Sequence, residues 1–363
     1  MTDAPFGRFL LPGPTEVHPD VLRAMQRPMI AHRGSDMVRL LEEMERPLQQ
    51  LFRTQRRVMI GSCAATGFME MAVRCGIRHR VLALVSGSFG SRFAAIAEAC
   101  GHDVVRLEVP LGQTVEPDML SDALRRSDVD AVCLVHSETS TGALAPLPEL
   151  AAVVHEHDGV LLLVDAVTSL AGSPVETDAL HLDFVFTGSQ KALALPPGLA
   201  LGVASERMLT RAGALPGRGA YLDVVAYDEA FAARQPTNTP ALSLFYALAE
   251  QCRRIEFAGG VGARWARHDA MRQTVEEWVD GAGGALGYRY LPRDARRSWT
   301  VSCLETPKGR SGRDIVRAVR AAGWTLGTGY GPLRETTLRI GHMGDHTVET
   351  VRDALCRLEE ATR

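Results

Sequence analysis

The sequence is nearly without lysine. Of its 40 lysine and arginine side chains only two are lysines, Lys191 and Lys308, and the other 38 are arginines. A plain surface cation is therefore written as arginine in this chain, so a lysine calls for a separate reason. Guanidinium does not lose its proton at accessible pH and cannot form a Schiff base, whereas a lysine in apolar surroundings can do both. No run of about 20 apolar residues is present, which excludes a membrane-spanning helix. No long run of either charge sign is present and the net charge is −3, which argues against a nucleic-acid surface or an anionic membrane as partner. The seven cysteines are odd in number and form no CxxC pair, and Cys133 and Cys303 sit in apolar runs. That pattern fits reduced core thiols and gives no metal site. The start, Met1-Thr-Asp-Ala-Pro5, has no basic stretch followed by an apolar core, so no signal peptide is expected and the expected location is cytoplasmic.

What is present is an ordinary globular composition, 46% hydrophobic and 23% charged over 363 residues, enough for two or three domains with a large core. Leu11-Pro-Gly-Pro-Thr15 is stiffened by proline and cannot be helical. Such an N-terminal arm can pack on a partner subunit or on its own domain. Beyond it, short apolar runs alternate with helical patterns. Strands are expected at Val58–Ile60, Val81–Val85, Asp103–Val109, Asp130–Val135, Gly159–Val164 and Phe184–Phe186, with helices between them. Apolar strands without polar alternation, interleaved with helices, imply a mostly parallel α/β sheet covered on both faces. After Ala241 the pattern changes to long helices and then short strands, as expected for a smaller α+β domain. The expected division is an arm over 1–20, a large domain over 21–258 and a small C-terminal domain over 259–363.

Ligands of such sheets bind beyond the carboxyl ends of the strands. That rule gathers Asp165, the Thr187-Gly-Ser-Gln-Lys191 turn, the His136-Ser-Glu-Thr-Ser-Thr-Gly142 segment, the Ser86–Gly90 turn carrying Phe89, and the small-residue turn Gly61–Gly67. Each has a task if the ligand is pyridoxal phosphate. Lys191 would carry the aldehyde, and Asp165 would keep the pyridinium nitrogen protonated. Phe89 would stack on the ring, and the turn at Ala64, Ala65 and Thr66 would take the phosphate at a helix start. An unpaired buried carboxylate at position 165 would be costly, so a cationic partner is expected.

Asp165-Ala-Val-Thr-Ser-Leu170, Thr187-Gly-Ser-Gln-Lys-Ala-Leu193 and Pro196-Pro-Gly198 closely resemble the class V (fold-type I) aminotransferases. The look-alikes are the alanine–glyoxylate and serine–glyoxylate (serine–pyruvate) enzymes. Leu11-Pro-Gly-Pro-Thr15, Arg23-Ala-Met25 and His32-Arg-Gly34 match them too, and the resemblance runs from about residue 9 to Gly344. It implies a homodimer with shared active sites. It also implies transfer of an amino group from alanine or serine to glyoxylate or pyruvate by a ping-pong aldimine/ketimine route. By the same resemblance, Lys191 and Asp165 are catalytic. Ala64, Ala65, Thr66, Phe89, Thr139, Val167 and Gln190 hold the cofactor, together with Thr239 reaching in from the partner. Arg339, Thr139 and Gly13 bind the substrate. One departure stands out: Ala64-Ala65-Thr66 occupies a turn where the family usually has Ser-Gly-Thr or Ser-Gly-His, so a hydroxyl and a glycine are missing. The same scaffold also carries 2-aminoethylphosphonate–pyruvate and ureidoglycine–glyoxylate aminotransferases, and a phosphonate would call on Arg33 or Arg334. A desulfurase or other lyase would need a mobile reactive cysteine, and a cofactor-free Schiff-base lyase would leave Asp165 idle.

Overall fold

The computed structural model describes residues 6–363. The Met1-Thr-Asp-Ala-Pro5 start, and with it the beginning of the expected arm over 1–20, lies outside the described residues. Seven strands build the larger sheet in the order Met59–Gly61, Ala200–Ala204, Phe184–Gly188, Leu161–Asp165, Ala131–Val135, Arg80–Val85, Asp103–Glu108. All neighbours pair in parallel except Ala200–Ala204, which runs against both of its neighbours. The expected mostly parallel sheet is therefore present, with one reversed strand that the sequence did not announce. Ala-Leu-Gly-Val-Ala is short and carries a glycine, so its strand signal is weak.

Alternate residues of each apolar strand feed two different cores, as the two-residue period of a strand requires. Leu82, Leu84, Leu162 and Val164 pack with the helices Ser35–Phe52, Leu147–His155 and Leu242–Phe257. Val81, Ala83, Leu161 and Leu163 pack on the other face with Ala65–Gly76, Ser88–Ala99 and Glu206–Ala214. The edge strand Asp103–Glu108 is the polar one, and Arg80 pairs with Asp103 beside it, which blunts an otherwise open edge.

A second sheet of five strands runs in the order Phe9–Leu10, Thr325–Thr328, Thr337–Ile340, Ser302–Glu305, Arg289–Tyr290. It has its own core, with Leu10, Tyr288, Leu304, Leu326, Leu338 and Ile340 packed on Gly260–Trp278, Gly312–Ala321 and Val348–Thr362. Its first strand comes from the N-terminal segment, which pairs in parallel with Thr325 and Leu326. The Ser302–Glu305 strand is preceded by a polar turn, in which Ser298 and Thr300 place their hydroxyls in a buried chain with Ser137 and the Thr168 carbonyl. No described helix is long and apolar enough to cross a membrane.

Candidate active site

Lys191 follows the Phe184–Gly188 strand through a turn that Ser189 closes. The Ser189 hydroxyl donates to the Pro196 carbonyl (2.8 Å) and accepts from Leu199 N–H (3.2 Å). This aims Lys191 at the N-terminal segment, where its amine donates to the Pro12 carbonyl. Gly13 lies flat against the lysine: a Cβ there would stand 2.5–2.6 Å from Lys191 Cδ, Cε and Nζ, and its φ is +110°. Lys191 is 6% exposed. Burial first, then the charge of Arg339, brings its amine down to about 7 from the ordinary lysine value. The amine is thus able to gain or lose a proton near neutral pH.

Asp165 ends the neighbouring strand and is 3% exposed. One carboxyl oxygen accepts from Val167 N–H at 2.8 Å. Burial pushes the group up to about 7 against that hydrogen bond. Among the described residues no lysine, arginine or histidine forms an ion pair with it. The expected cationic partner is thus not found among the described residues. Phe89 stands nearby, its ring centroid 5.9 Å from Lys191 Nζ. It belongs to the first turn of the Ser88–Ala99 helix and not to the turn before it, as the sequence reading had placed it. Glu138, buried to 1% exposure, fixes that turn by accepting from Phe89 N–H (3.0 Å) and Gly90 N–H (3.1 Å) while its other oxygen accepts from Ser140 N–H (3.0 Å).

The small-residue turn leads into the Ala65–Gly76 helix with Ala64 at its N-cap and no side-chain cap. Ala64 and Thr66 are exposed. The helix start therefore offers backbone N–H groups and the Thr66 hydroxyl, and lacks a competing serine. Gln190 comes to the same spot: a Cβ on Gly188 would lie 2.6 Å from Gln190 Oε1 and 3.0 Å from Ala65 Cβ. Val167 is half-buried beyond Asp165.

Arg339 sits on the Thr337–Ile340 strand of the second sheet and reaches the His136–Gly142 segment that follows the Ala131–Val135 strand of the first. Its Nε donates to the Thr328 carbonyl (3.0 Å) and its Nη1 to the Thr139 carbonyl (3.1 Å). No carboxylate pairs with it among the described residues. The Thr139 hydroxyl shares a hydrogen bond with Thr168. The structure thus brings Lys191, Asp165, Val167, Phe89, Thr139, Arg339 and Gly13 to one place, with Ala64–Thr66 and Gln190 joined at its edge. Thr239 is exposed and lines a hollow with Ile60, Ser62 and Tyr221, beside the Gly61–Gly67 turn, and forms no hydrogen bond with Lys191, Asp165 or Arg339. Arg33 and Arg334 are exposed, and neither forms a hydrogen bond or an ion pair with these residues.

Four further residues of the site went unforeseen. Pro12 supplies the carbonyl on the lysine amine. Glu138 lay inside the His136–Gly142 segment without a role. Arg92 and Tyr330 flank Phe89, at 4.8 Å and 5.7 Å from its ring centroid. Arg92 had a signal, since it is three residues beyond Phe89 on one helix face; Tyr330 had none.

The donor set suits pyridoxal phosphate. A buried, unpaired carboxyl fits the ring nitrogen, a low-pKa lysine fits the aldehyde, an aromatic face fits the ring, and an uncapped helix start fits the phosphate. Comparison with known proteins gives the same picture. The aminotransferase class-V family profile matches residues 13–332. An uncharacterized aminotransferase of Methanocaldococcus jannaschii is 35% identical over 92% of this chain and 87% of its own length. An aspartate aminotransferase of subgroup IV from Thermus thermophilus superposes with a TM-score of 0.89 at 32% identity, covering 98% of this chain and 99% of that one. An alanine–glyoxylate aminotransferase from a Nostoc species superposes with a TM-score of 0.92 at 29% identity, covering 100% of this chain and 97% of the other.

Proposed function

The chain belongs to the class-V aminotransferases, which are pyridoxal-phosphate-dependent, and from that premise we propose that it moves an amino group from alanine or serine to glyoxylate or pyruvate. The observation that carries the reading is that Lys191 and Arg339 share one site, close enough for the charge of Arg339 to lower the Lys191 amine. One is a buried amine brought down to about 7, and the other a half-buried guanidinium that hydrogen-bonds to two carbonyl oxygens, lies over the Tyr330 ring, and pairs with no carboxylate among the described residues. A small amino acid has the matching ends. Its carboxylate takes the fork of Arg339, which suits a planar oxyanion. Its amino group then lies toward Lys191.

Bound pyridoxal phosphate supplies the carbonyl that captures the amino group and the ring that draws electrons from Cα. The chain's residues do the rest. Asp165 would hold the ring nitrogen, and Val167 and Phe89 would pack against the ring. The N–H groups at Ala64, Ala65 and Thr66, with Gln190, would hold the phosphate. Lys191 would be neutral often enough at pH 7 to take the substrate's Cα proton and deliver it across the amino nitrogen to the carbon that was the cofactor's aldehyde. Gly13 leaves room for the lysine beside the substrate, and Thr139 presents its hydroxyl next to the Arg339 clamp.

The same proposal includes a homodimer. Thr239 is exposed on its own chain, which leaves it open to serve as a phosphate ligand for the partner's site. It also includes the division into an arm over 1–20, a large domain over 21–258 and a small domain over 259–363, supported by the two separate sheets. A cytoplasmic location belongs with it.

Steady-state transamination with a panel of donors tests the substrate reading. Alanine or serine, with glyoxylate or pyruvate, should exceed 2-aminoethylphosphonate and ureidoglycine by at least about tenfold in kcat/KM. A faster reaction with either of those, or with aspartate, would move the assignment within the family. Release of ammonia without transfer would replace it with a lyase.

A further inference from the structure

Tyr330 lies in a loop of the second sheet, between Gly329 and Gly331, directly after the Thr325–Thr328 strand. The loop geometry is fixed. Gly331 has φ +55°, and a Cβ on Gly329 would stand 2.0 Å from the Leu333 carbonyl oxygen. The half-buried ring is held on three sides. It packs on Phe89 with centroids 5.7 Å apart and planes at 38°. The Arg339 guanidinium lies over it at 5.4 Å. Its phenol oxygen accepts from Arg92 Nη2 at 3.3 Å, and the Arg92 guanidinium in turn rests on Phe89. A ring braced by two cations and an aromatic does not swing away at small cost.

These contacts place Tyr330 between two groups of the reaction site. Phe89 faces Lys191 on one side, and Arg339 clamps a carboxylate on the other. This rests on the reading above, in which the donor's carboxylate meets Arg339 and its nitrogen lies toward Lys191. A donor so held has its side chain bounded by whatever stands next to both groups. We propose that Tyr330 is the specificity-determining wall of the donor side-chain pocket: its ring, braced by Phe89, Arg339 and Arg92, restricts the donor to short, unbranched side chains.

The test is the ratio of kcat/KM for L-leucine to that for L-alanine, with one acceptor, in the cofactor-loaded enzyme. The wild type should favour alanine. Tyr330→Ala should raise the ratio at least about tenfold, since one or more methylenes in a tight pocket are worth roughly 10–200-fold. Tyr330→Phe keeps the ring and should leave the ratio within about threefold of wild type. Should Tyr330→Ala fail to fold, Tyr330→Leu keeps an apolar contact with Phe89 while shortening the wall, and should raise the ratio by an intermediate factor. A Tyr330 that merely pins the two sheets together predicts equal losses for both donors and an unchanged ratio. That result in any folded variant lacking the ring would overturn the proposal, as would a wild type with no preference for alanine over leucine. If the wild type transaminates no amino acid at all, the functional reading fails first, and the two failures are told apart by that control.

Discussion

Replacing Lys191 by methionine should make the cofactor-free protein more stable. The lysine is buried, its amine reaches only the Pro12 carbonyl, and its proton is held at about 7 in place of 10.5. Between those two values the unfolded chain binds the proton more tightly than the folded one, so stability rises with pH across that window and the full penalty applies below pH 7. At about 1.4 kcal/mol per pH unit, the penalty near pH 7 is of order 4–5 kcal/mol, and it falls to about 2 kcal/mol at pH 9. Methionine fills similar volume and carries no charge. Cofactor-free Lys191→Met should therefore gain up to several kcal/mol at pH 7, which is several degrees in Tm for a chain of this size. The gain should shrink on going to pH 9. Thermal unfolding of both proteins at the two pH values reads the effect directly. A variant no more stable than wild type at pH 7, or a gain that does not change with pH, would refute the account of Lys191 as a buried amine held off its ordinary pKa.

Asp165 should show the opposite trend. Its carboxyl keeps its proton up to about 7 when folded and 3.8 when unfolded, so the cofactor-free protein loses stability as pH rises through that window. Asp165→Asn should flatten this loss between about pH 4 and 7 in thermal scans, and should lower kcat by about 10²–10³, the scale of removing one partner from a buried charged pair. Glu138→Gln puts an amide where Phe89, Gly90 and Ser140 N–H groups need an acceptor. A loss of about 2–4 kcal/mol in denaturant unfolding is expected; unchanged stability would mean that Glu138 does not hold the Phe89 turn. Gly13→Ala sets a Cβ 2.5–2.6 Å from the lysine side chain at a φ of +110°. The backbone strain costs about 1–2 kcal/mol, while kcat should fall at least about tenfold because Lys191 is displaced. Full activity in this variant would show that the lysine tolerates the crowding.

Much of this site was legible in the sequence for a physical reason. Strands buried on both faces are written as uninterrupted apolar runs, so Val81–Val85, Ala131–Val135 and Leu161–Asp165 were readable, and the rule for strand ends then gathered the polar residues. Lys191 was conspicuous because arginine does every other cationic task but that of Lys308. What stayed hidden depends on tertiary contact. Ala200–Ala204 becomes a strand only by pairing between Phe184–Gly188 and Met59–Gly61. Tyr330 meets Phe89 and Arg92 across more than 230 positions of chain, and no local pattern encodes that meeting. Glu138 looked like one polar residue among several, and its value lies in the backbone donors that surround it. The Ala64-Ala65 departure proved intelligible in geometry, since an uncapped helix start keeps its backbone donors when the hydroxyl is gone.

The most direct test of the central claim is the visible absorption of the purified protein, reconstituted with pyridoxal phosphate, on adding L-alanine or L-serine and then glyoxylate or pyruvate. The account predicts a yellow protein whose band bleaches with the amino acid and returns with the oxo acid, and a Lys191→Ala variant that binds the cofactor and does not complete the cycle. A protein that stays colourless after reconstitution, or a Lys191→Ala variant that cycles at the parent rate, would contradict it.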